Sequence, residues 1–375
     1  MRVLINAISV KEGGPLVVLR HLTAGMAALR PDWEFHVAAH SSTACMTYPD
    51  NVTVHVDEDA ESRSWKTRLW YEQGLPRLAK RLNSDLLFSQ TNYLPTRPLS
   101  CPTLLLEQHA GHFSKVFDQL MRAQLGKAGQ LAWAMKTRWV RASVRRATVV
   151  TVQTQALAHS VVKTTGISND KVAVIAHGPG LVTQTKKPAA YRCGAEPISI
   201  GYITKHGVQK NFQVLLLAAR ALKDRKLPFR LVLTLNPDVE ANQIILSEAA
   251  SLGLKSELEN LGELDPVGVN AAYESLHAFV FPSLCESFGF PMVEALSYGI
   301  PLLISDTAGN RELCGSAGIT FSPNDHEVLA QKILRLATEN SYYASRAKDS
   351  FENRLRFSWD RSAMETIAII ERMLE

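Results

Sequence analysis

Apolar residues fall along this chain in two alternating patterns. Short continuous runs, RVLINAI (2–8), EFHVAA (34–39), VTVHV (52–56), DLLFSQ (85–90), TLLLEQ (103–108), ATVVTVQ (147–153) and KVAVIAHG (171–178), read as strands. Between them, stretches near 16–30, 65–82, 117–146 and 155–165 space their apolar residues as helices do. GPGLVTQTKKPAAYRCGAEP (178–197) then breaks the rhythm with Pro, Gly and Lys and reads as a linker. Alternation restarts with PISIGYI (197–203), FRLVLTL (229–235), HAFVFPS (277–283), PLLISD (301–306) and GITFSP (318–323), again with helical periods between. Strands that are apolar throughout, alternating with helices, predict parallel sheets covered on both faces. The expected fold is therefore α/β, with two doubly wound Rossmann-like domains facing each other across a cleft. The boundaries read as 1–180, a linker at 181–197, a second domain at 198–357, and a terminal helix at 358–375 that could pack back on the first domain. In such sheets ligands sit at the carboxyl ends of the strands.

Composition narrows the class. The chain has 375 residues, 46% hydrophobic and 21% charged, which suits a soluble protein with two cores. No apolar run reaches the roughly 18 to 20 residues that span a bilayer. MRVLINAISV reads as a first strand rather than a signal peptide. The five cysteines are scattered, with no CxxC, so neither a disulfide framework nor a zinc site is suggested and a cytoplasmic location is expected.

Charge changes the picture for the first domain alone. Residues 1–178 carry 21 Lys and Arg against 13 Asp and Glu, whereas the rest carries 20 against 23. Nothing between Asp118 and Asp170 is acidic. On a helix there, Arg138, Arg141 and Arg145 share one face, and Trp133, Val140 and Val144 share its neighbour. Two readings are open: a solvated basic face over an inward apolar one, or peripheral contact of 119–146 with anionic lipid at the inner face of a membrane. No nucleic-acid motif accompanies the charge, so nucleic acid is not an expected partner.

Three stretches carry candidate chemistry. In KEGGPLVVLRHL, Gly13 and Gly14 allow a sharp turn into a helix whose first amides could seat a phosphate, or form an ordinary strand-to-helix turn. In IGYITKHGVQKN, Lys205 and Lys210 lie between a strand and a helix, with Asn211 as the expected N-cap. Two ammonium groups there could hold a diphosphate, or simply be solvated. In CESFGFPMVEALSYGIP, Glu286 lies in a loop and Glu294 in the first turn of the following helix. Carboxylates accept hydrogen bonds from sugar and ribose hydroxyls, and Gly289 lets the loop backbone approach a ligand. Weaker features are DED at 57–59, which has the form of a metal-binding DxD without supporting ligands, and His109 and His112 after a first-domain strand. His177 reads as part of the turn between domains. No metal site is expected.

CESFGFPMVEAL resembles the E-x7-E signature of the retaining nucleotide-sugar glycosyltransferases of family 4, which have the GT-B fold. EGGPLVVLRHL, TVVTVQTQALAHSVVKTTGISNDKVAVIAHGPG, ITKHGVQKN, LISDTAGNRELCGSAGITFSPND and FSWDRSA are similar to other segments of that family, so the resemblance runs along nearly the whole chain. It implies that Gly13 and Gly14 approach the donor phosphate and that Lys205 and Lys210 hold the diphosphate. Glu286, with Ser287 and the amides of Phe288 and Gly289, would bind the donor sugar, and Glu294 the ribose. His109 would be an acceptor-side catalytic residue. Position 205 often holds Arg in the family, and the acceptor-side His is often followed by Asp where Ala110 stands here. The implied activity is hexosyl transfer with retention from a nucleotide-diphosphate sugar to a hydroxyl of a glycan or lipid-linked sugar acceptor in surface polysaccharide assembly. No cofactor beyond the donor and no metal are implied. The competing readings are a sugar-nucleotide epimerase or phosphorylase on the same scaffold, and a non-catalytic nucleotide-sugar sensor.

Overall fold

The structure is a computed structural model that describes residues 1–44, 46–62, 64–181 and 191–375. It divides into two compact units, Met1–Gly178 with Phe357–Glu375, and Pro179–Arg356. Much of the expected linker, 182–190, lies outside the described residues.

The first unit is built on strands β1 (Arg2–Ala7), β2 (Glu34–Ala39), β3 (Val52–Val56), β4 (Leu86–Ser89), β5 (Thr103–Leu106), β6 (Val149–Val152) and β7 (Val172–Val174). They form one sheet in the order β3-β2-β1-β4-β5-β6-β7, and every pairing is parallel. The second unit holds β8 (Ile198–Tyr202), β9 (Phe229–Leu233), β10 (Leu258–Asn260), β11 (Ala278–Phe281), β12 (Leu302–Ser305) and β13 (Gly318–Phe321). Their order is β10-β9-β8-β11-β12-β13, again all parallel. Both orders reverse direction beside the first strand of the unit, so both are doubly wound as the alternation predicts.

Burial follows strand position. The central strands LLFS, TLLL, AFVF and LLIS are buried at every residue, because helices cover both faces. VTVHV, VAV and LEN have no fully buried residue, and each ends its sheet. β10 escapes a reading from pattern, since three residues of mixed polarity show no period. Two other differences are local. The expected helix at 117–146 is two helices, Lys115–Gln124 and Lys127–Arg146, parted where Leu125 and Gly126 are extended. The stretch 65–82 stays coiled but widens to a π-turn at Trp70–Gly74 between the helices Ser64–Leu69 and Leu75–Arg81.

The terminal helix Trp359–Leu374 starts at Ser358, whose hydroxyl accepts from Arg361 N–H, and packs along the helix Gly13–Leu29. The two can approach because Gly25 faces Ala363: a Cβ at position 25 would stand 2.8 Å from the Ala363 Cβ. Trp359 lies between the rings of His21 (4.8 Å) and His177 (5.2 Å). His177 is therefore part of the first unit's core, and burial drives its pKa down to about 3. Gly25→Leu is expected to force these helices apart and to destabilise the first unit by about 1–3 kcal/mol. A lowered urea midpoint, read from native tryptophan fluorescence, checks this.

Candidate active site

In the second unit the carboxyl ends of two neighbouring strands, β8 and β11, carry the candidate loops. The loops are stitched together: Leu284 N–H donates to Gln209 O at 2.9 Å, and Ser283 Oγ lies 3.3 Å from the same oxygen. This brings Lys210 and Glu286, 76 residues apart, into direct contact at 2.6 Å between Nζ and Oε1. The Ser283 hydroxyl donates to that same Oε1, also at 2.6 Å. Both charged side chains are largely screened from water, at 12% and 15% exposure, so their attraction is little weakened by solvent. The Lys210 ammonium also stands 5.5 Å from the centre of the Phe281 ring. Behind them Asn310 Nδ2 and the Ser305 hydroxyl donate to Ser283 O, which fixes the end of β11 from beneath.

Lys205 follows the same strand, but its exposed side chain turns to Glu263 on the loop after β10, at 3.0 Å. Asn211 occupies the N-cap position of the helix Phe212–Asp224 without capping it. Its backbone is left-handed (φ 50°), and its amide instead donates to Pro323 O at 2.9 Å. This corrects the expected cap: the residue ties the loop to a distant turn.

The loop Leu284–Gly289 ends in a left-handed glycine. Gly289 has φ 77°, a left-handed conformation that glycine adopts without strain, and a Cβ there would have to displace the Met292 methyl 2.5 Å away. Ser287 is half-buried; the ring of Phe288 is buried and stands edge-on to Phe290, so that residue offers backbone rather than ring. The helix Phe290–Ser297 follows and places Glu294 inward at 5% exposure. Because the helix begins at Phe290, Glu294 is its fifth residue and lies past the expected first turn. Glu294 does not share the Lys210–Glu286 contact. Its Oε1 accepts from Leu181 N–H and its Oε2 from the Tyr273 hydroxyl, both at 2.8 Å. The backbone at Gly180 presses on it so closely that a Cβ there would lie 2.1 Å from Oε1. Burial raises the pKa of this carboxyl, against the opposing pull of its two hydrogen bonds.

In the first unit, Gly13 opens the helix Gly13–Leu29 with φ 67° and open space where a Cβ would stand. Gly14 follows it in the first turn, and no side chain caps the amides there. His109 is half-buried after β5. Its backbone N–H donates to Glu107 Oε1 at 3.0 Å, and its ring stands edge-on to Phe117. His112 is a core residue: its ring stacks on Trp133 at 4.6 Å, its Nδ1 meets the Thr137 hydroxyl, and burial together with neighbouring positive charge drives its pKa down to about 2. Glu107 is fully buried, which holds its carboxyl well above the usual range, and its Oε2 meets no hydrogen-bond partner among the described residues. Of DED at 57–59, Asp57 accepts from Ala60 N–H and closes a turn, while the side chain of Asp59 lies outside the described residues.

Sequence reasoning missed Ser283, Gln209, Tyr273 and Glu263. Ser283 carries the one available signal, its place at a strand end three residues before Glu286. The others are set by contacts far along the chain.

Residues 197–339 match the family model described as glycosyl transferases group 1. Over 95 residues the chain is 32% identical to the O-antigen chain mannosyltransferase B of Escherichia coli, a stretch that covers 25% of each protein. The matched stretches span a quarter or less of the first curated relatives. Among solved structures, sucrose-phosphate synthase from Thermosynechococcus elongatus aligns with a TM-score of 0.77 at 14% identity, over 100% of this chain and 99% of that one. HepE of Anabaena in complex with UDP and glucose aligns with a TM-score of 0.71 at 16% identity, over 99% and 100%. The fold is that of the GT-B glycosyltransferases, as the resemblance implied.

Glu294 yields a prediction about stability. Glu294→Ala takes the acceptor from Leu181 N–H and leaves the Tyr273 hydroxyl only Pro291 O at 3.3 Å, an expected loss of about 1–3 kcal/mol. Glu294→Gln keeps an oxygen for Leu181. A buried acid with a raised pKa binds its proton more tightly when folded, so stability is greatest below the unfolded value and falls as pH rises towards the folded one. Glu294→Gln should therefore flatten that fall as pH rises above the ordinary glutamate value of 4.5, which urea titrations at a series of pH values measure.

Proposed function

We propose that this chain, whose residues 197–339 form a glycosyl transferases group 1 domain, moves a hexose from a nucleotide-diphosphate sugar to a hydroxyl of a glycan or lipid-linked sugar in surface polysaccharide synthesis. The observation that carries the reading is the Lys210–Glu286 contact at the carboxyl ends of β8 and β11, inside the matched domain. A cation and an acceptor-only carboxylate side by side suit a ligand with phosphate at one end and hydroxyls at the other. On donor binding, Lys210 turns to the diphosphate and Lys205 leaves Glu263 to join it. Their charge stabilises the departing nucleotide diphosphate. Glu286 then receives donor-sugar hydroxyls, with Ser283 holding its orientation and Ser287, Phe288 and Gly289 contributing from the loop. Glu294 takes a ribose hydroxyl by exchanging the Leu181 N–H. In the first unit, Gly13 and Gly14 present amides to phosphate, and His109 serves the acceptor.

The reaction in this reading retains the anomeric configuration. The acceptor oxygen attacks on the face from which the diphosphate leaves, and the departing phosphate oxygen takes the acceptor proton. The sugar–phosphate bond breaks as the new glycosidic bond forms.

Among the described residues no helix is long and apolar enough to cross a membrane. The first half of the helix Lys127–Arg146 supports peripheral contact instead. Leu131 and Met135 are each 64% exposed, and Lys127, Lys136 and Arg138 surround them on exposed positions. The face expected from 138, 141 and 145 is otherwise: Arg141 donates to His112 O and Arg145 to Thr165 O, so these two serve the fold. Trp133, Val140 and Val144 are buried inward.

Three measurements test the proposal. Glu286→Gln, which keeps an oxygen beside Lys210 and Ser283, should lower transfer by about 10²–10³-fold with a smaller fall in melting temperature than Glu286→Ala, and unchanged turnover would remove Glu286 from the site. Donor incubated without acceptor should keep its sugar configuration, whereas epimerisation would favour the rival enzyme. Leu131→Glu with Met135→Glu should abolish co-sedimentation with phosphatidylglycerol vesicles at low salt.

A further inference from the structure

A cavity of about 270 Å³ opens beyond the carboxyl ends of β1, β2 and β3 in the first unit. Its floor is Ile8, Ala38 and the indole of Trp70, and Asp57, Arg77 and Arg81 line it from the rim. A second cavity of about 240 Å³ shares Asp57, Trp70, Gly74 and Arg77, and continues past Trp65 and Lys66. The two form one groove with an aromatic floor and a basic wall. No residue assigned to donor or acceptor chemistry above lies in it.

Three features set this groove apart from ordinary surface. The first is charge. Arg77 and Arg81 stand one turn apart on the helix Leu75–Arg81, where like charges repel. Four other arginines meet a carboxylate at this spacing: Arg68 with Glu72, Arg122 with Asp118, Arg220 with Asp224, and Arg335 with Glu339. Neither Arg77 nor Arg81 meets a carboxylate among the described residues, and Arg77 donates only to Gln73 Oε1. The second is the backbone. The π-turn Trp70–Gly74 interrupts the helix at the wall of the groove, a distortion that recurs at functional sites. Gly74 is required there, because a Cβ would stand 2.5 Å from the Trp70 ring. The third is exposed apolar surface: Trp65 is 57% and Leu69 45% accessible.

We propose that the groove binds an acidic saccharide, with the sugar ring against the tryptophans and its phosphate or carboxylate on Arg77 and Arg81. Guanidinium groups hold phosphate and carboxylate in paired hydrogen bonds. Asp57 repels a bare anion but accepts from sugar hydroxyls, so the chemistry favours an anion that carries hydroxyls over inorganic phosphate. The larger cavity has space for about nine waters, room for one pyranose ring. The inference rests on the reading of the chain as a transferase with a glycan acceptor, and it assigns that acceptor a negative charge.

Tryptophan fluorescence of the full chain, titrated with glucose 6-phosphate, glucuronate, glucose and inorganic phosphate, tests it without turnover. Saturable binding of either acidic sugar, at least about tenfold tighter than glucose and phosphate, is expected. Arg77→Gln with Arg81→Gln should weaken it about tenfold or more at an unchanged melting temperature. Trp65→Phe should weaken binding less than Trp65→Ala. The glucose 6-phosphate and glucuronate arms distinguish a phosphorylated from a uronic acid acceptor. Equal binding of glucose, binding undisturbed by the arginine changes, or a response to phosphatidylglycerol vesicles but to no soluble sugar would overturn the proposal. Melting shifts with nucleotide sugars report the donor site separately, so a failure here is distinguishable from a failure of the transferase reading.

Discussion

The contact between Lys210 and Glu286 is the constraint around which the second unit's chemistry is arranged. Taking an ammonium and a carboxylate largely out of water carries a desolvation penalty that only close geometry and further hydrogen bonds offset. Here the offset comes from Ser283, from the stitched Leu284–Gln209 backbone, and from the Asn310 and Ser305 contacts that hold Ser283 in turn. The Leu284–Gln209 stitch depends on β8 and β11 being neighbours, and the Ser305 and Asn310 contacts on β11 and β12 being so. The strand order thus has a chemical result: it joins a cation from one loop to an acid from another. The pair satisfies itself while no ligand is present, and each partner offers a group that phosphate or hydroxyl can take over.

The two acids of one short motif meet opposite environments. Glu286 sits at a loop, beside a cation and at the edge of solvent. Glu294, eight positions on, is buried with both oxygens engaged, one by a tyrosine and one by the backbone at Leu181. The helix Phe290–Ser297 causes the difference, since it turns position 294 towards the sheet while the loop leaves 286 at its end. Burial and full hydrogen bonding make Glu294 a fastener of the segment at Gly180 and Leu181 in this structure. Any ribose that uses it must exchange with that segment.

Much of the fold was legible because the central strands are nearly continuous apolar runs alternating with helical periods, the pattern of a doubly covered parallel sheet. Lys210, Glu286 and Gly289 were legible for a related reason: each lies just past a strand end, where charge or glycine stands out against the run before it. What failed to show is non-local or very short. β10 has three residues and no period. Asn211 looks like a cap by its position, yet bonds to Pro323, 112 residues away. Tyr273 carries no local sign that it serves Glu294, and Glu263 none that it faces Lys205. The break at Leu125 and Gly126 was hidden because a single glycine does not end a helical period. Arg141 and Arg145 looked like an outward face, since nothing in their spacing reveals carbonyls at His112 and Thr165 waiting for donors.

That last case reshapes how the first unit's charge is understood. Its excess of basic residues is not spread evenly over its surface. Arg141, Arg145 and Arg146 spend hydrogen bonds on backbone carbonyls, at His112, Thr165 and Leu94, and so act as fasteners between elements. Of the basic side chains left outward, two groups stand beside exposed apolar neighbours: Lys127, Lys136 and Arg138 beside Leu131 and Met135, and Arg77 and Arg81 in the groove that Trp65 flanks and the buried Trp70 floors. The first place is convex helix surface, suited to the broad negative potential of a membrane. The second is concave and has an aromatic floor, suited to a single anionic ring. A positive domain can therefore separate attraction to a surface from recognition of a molecule, because shape decides which kind of negative charge each basic patch can hold.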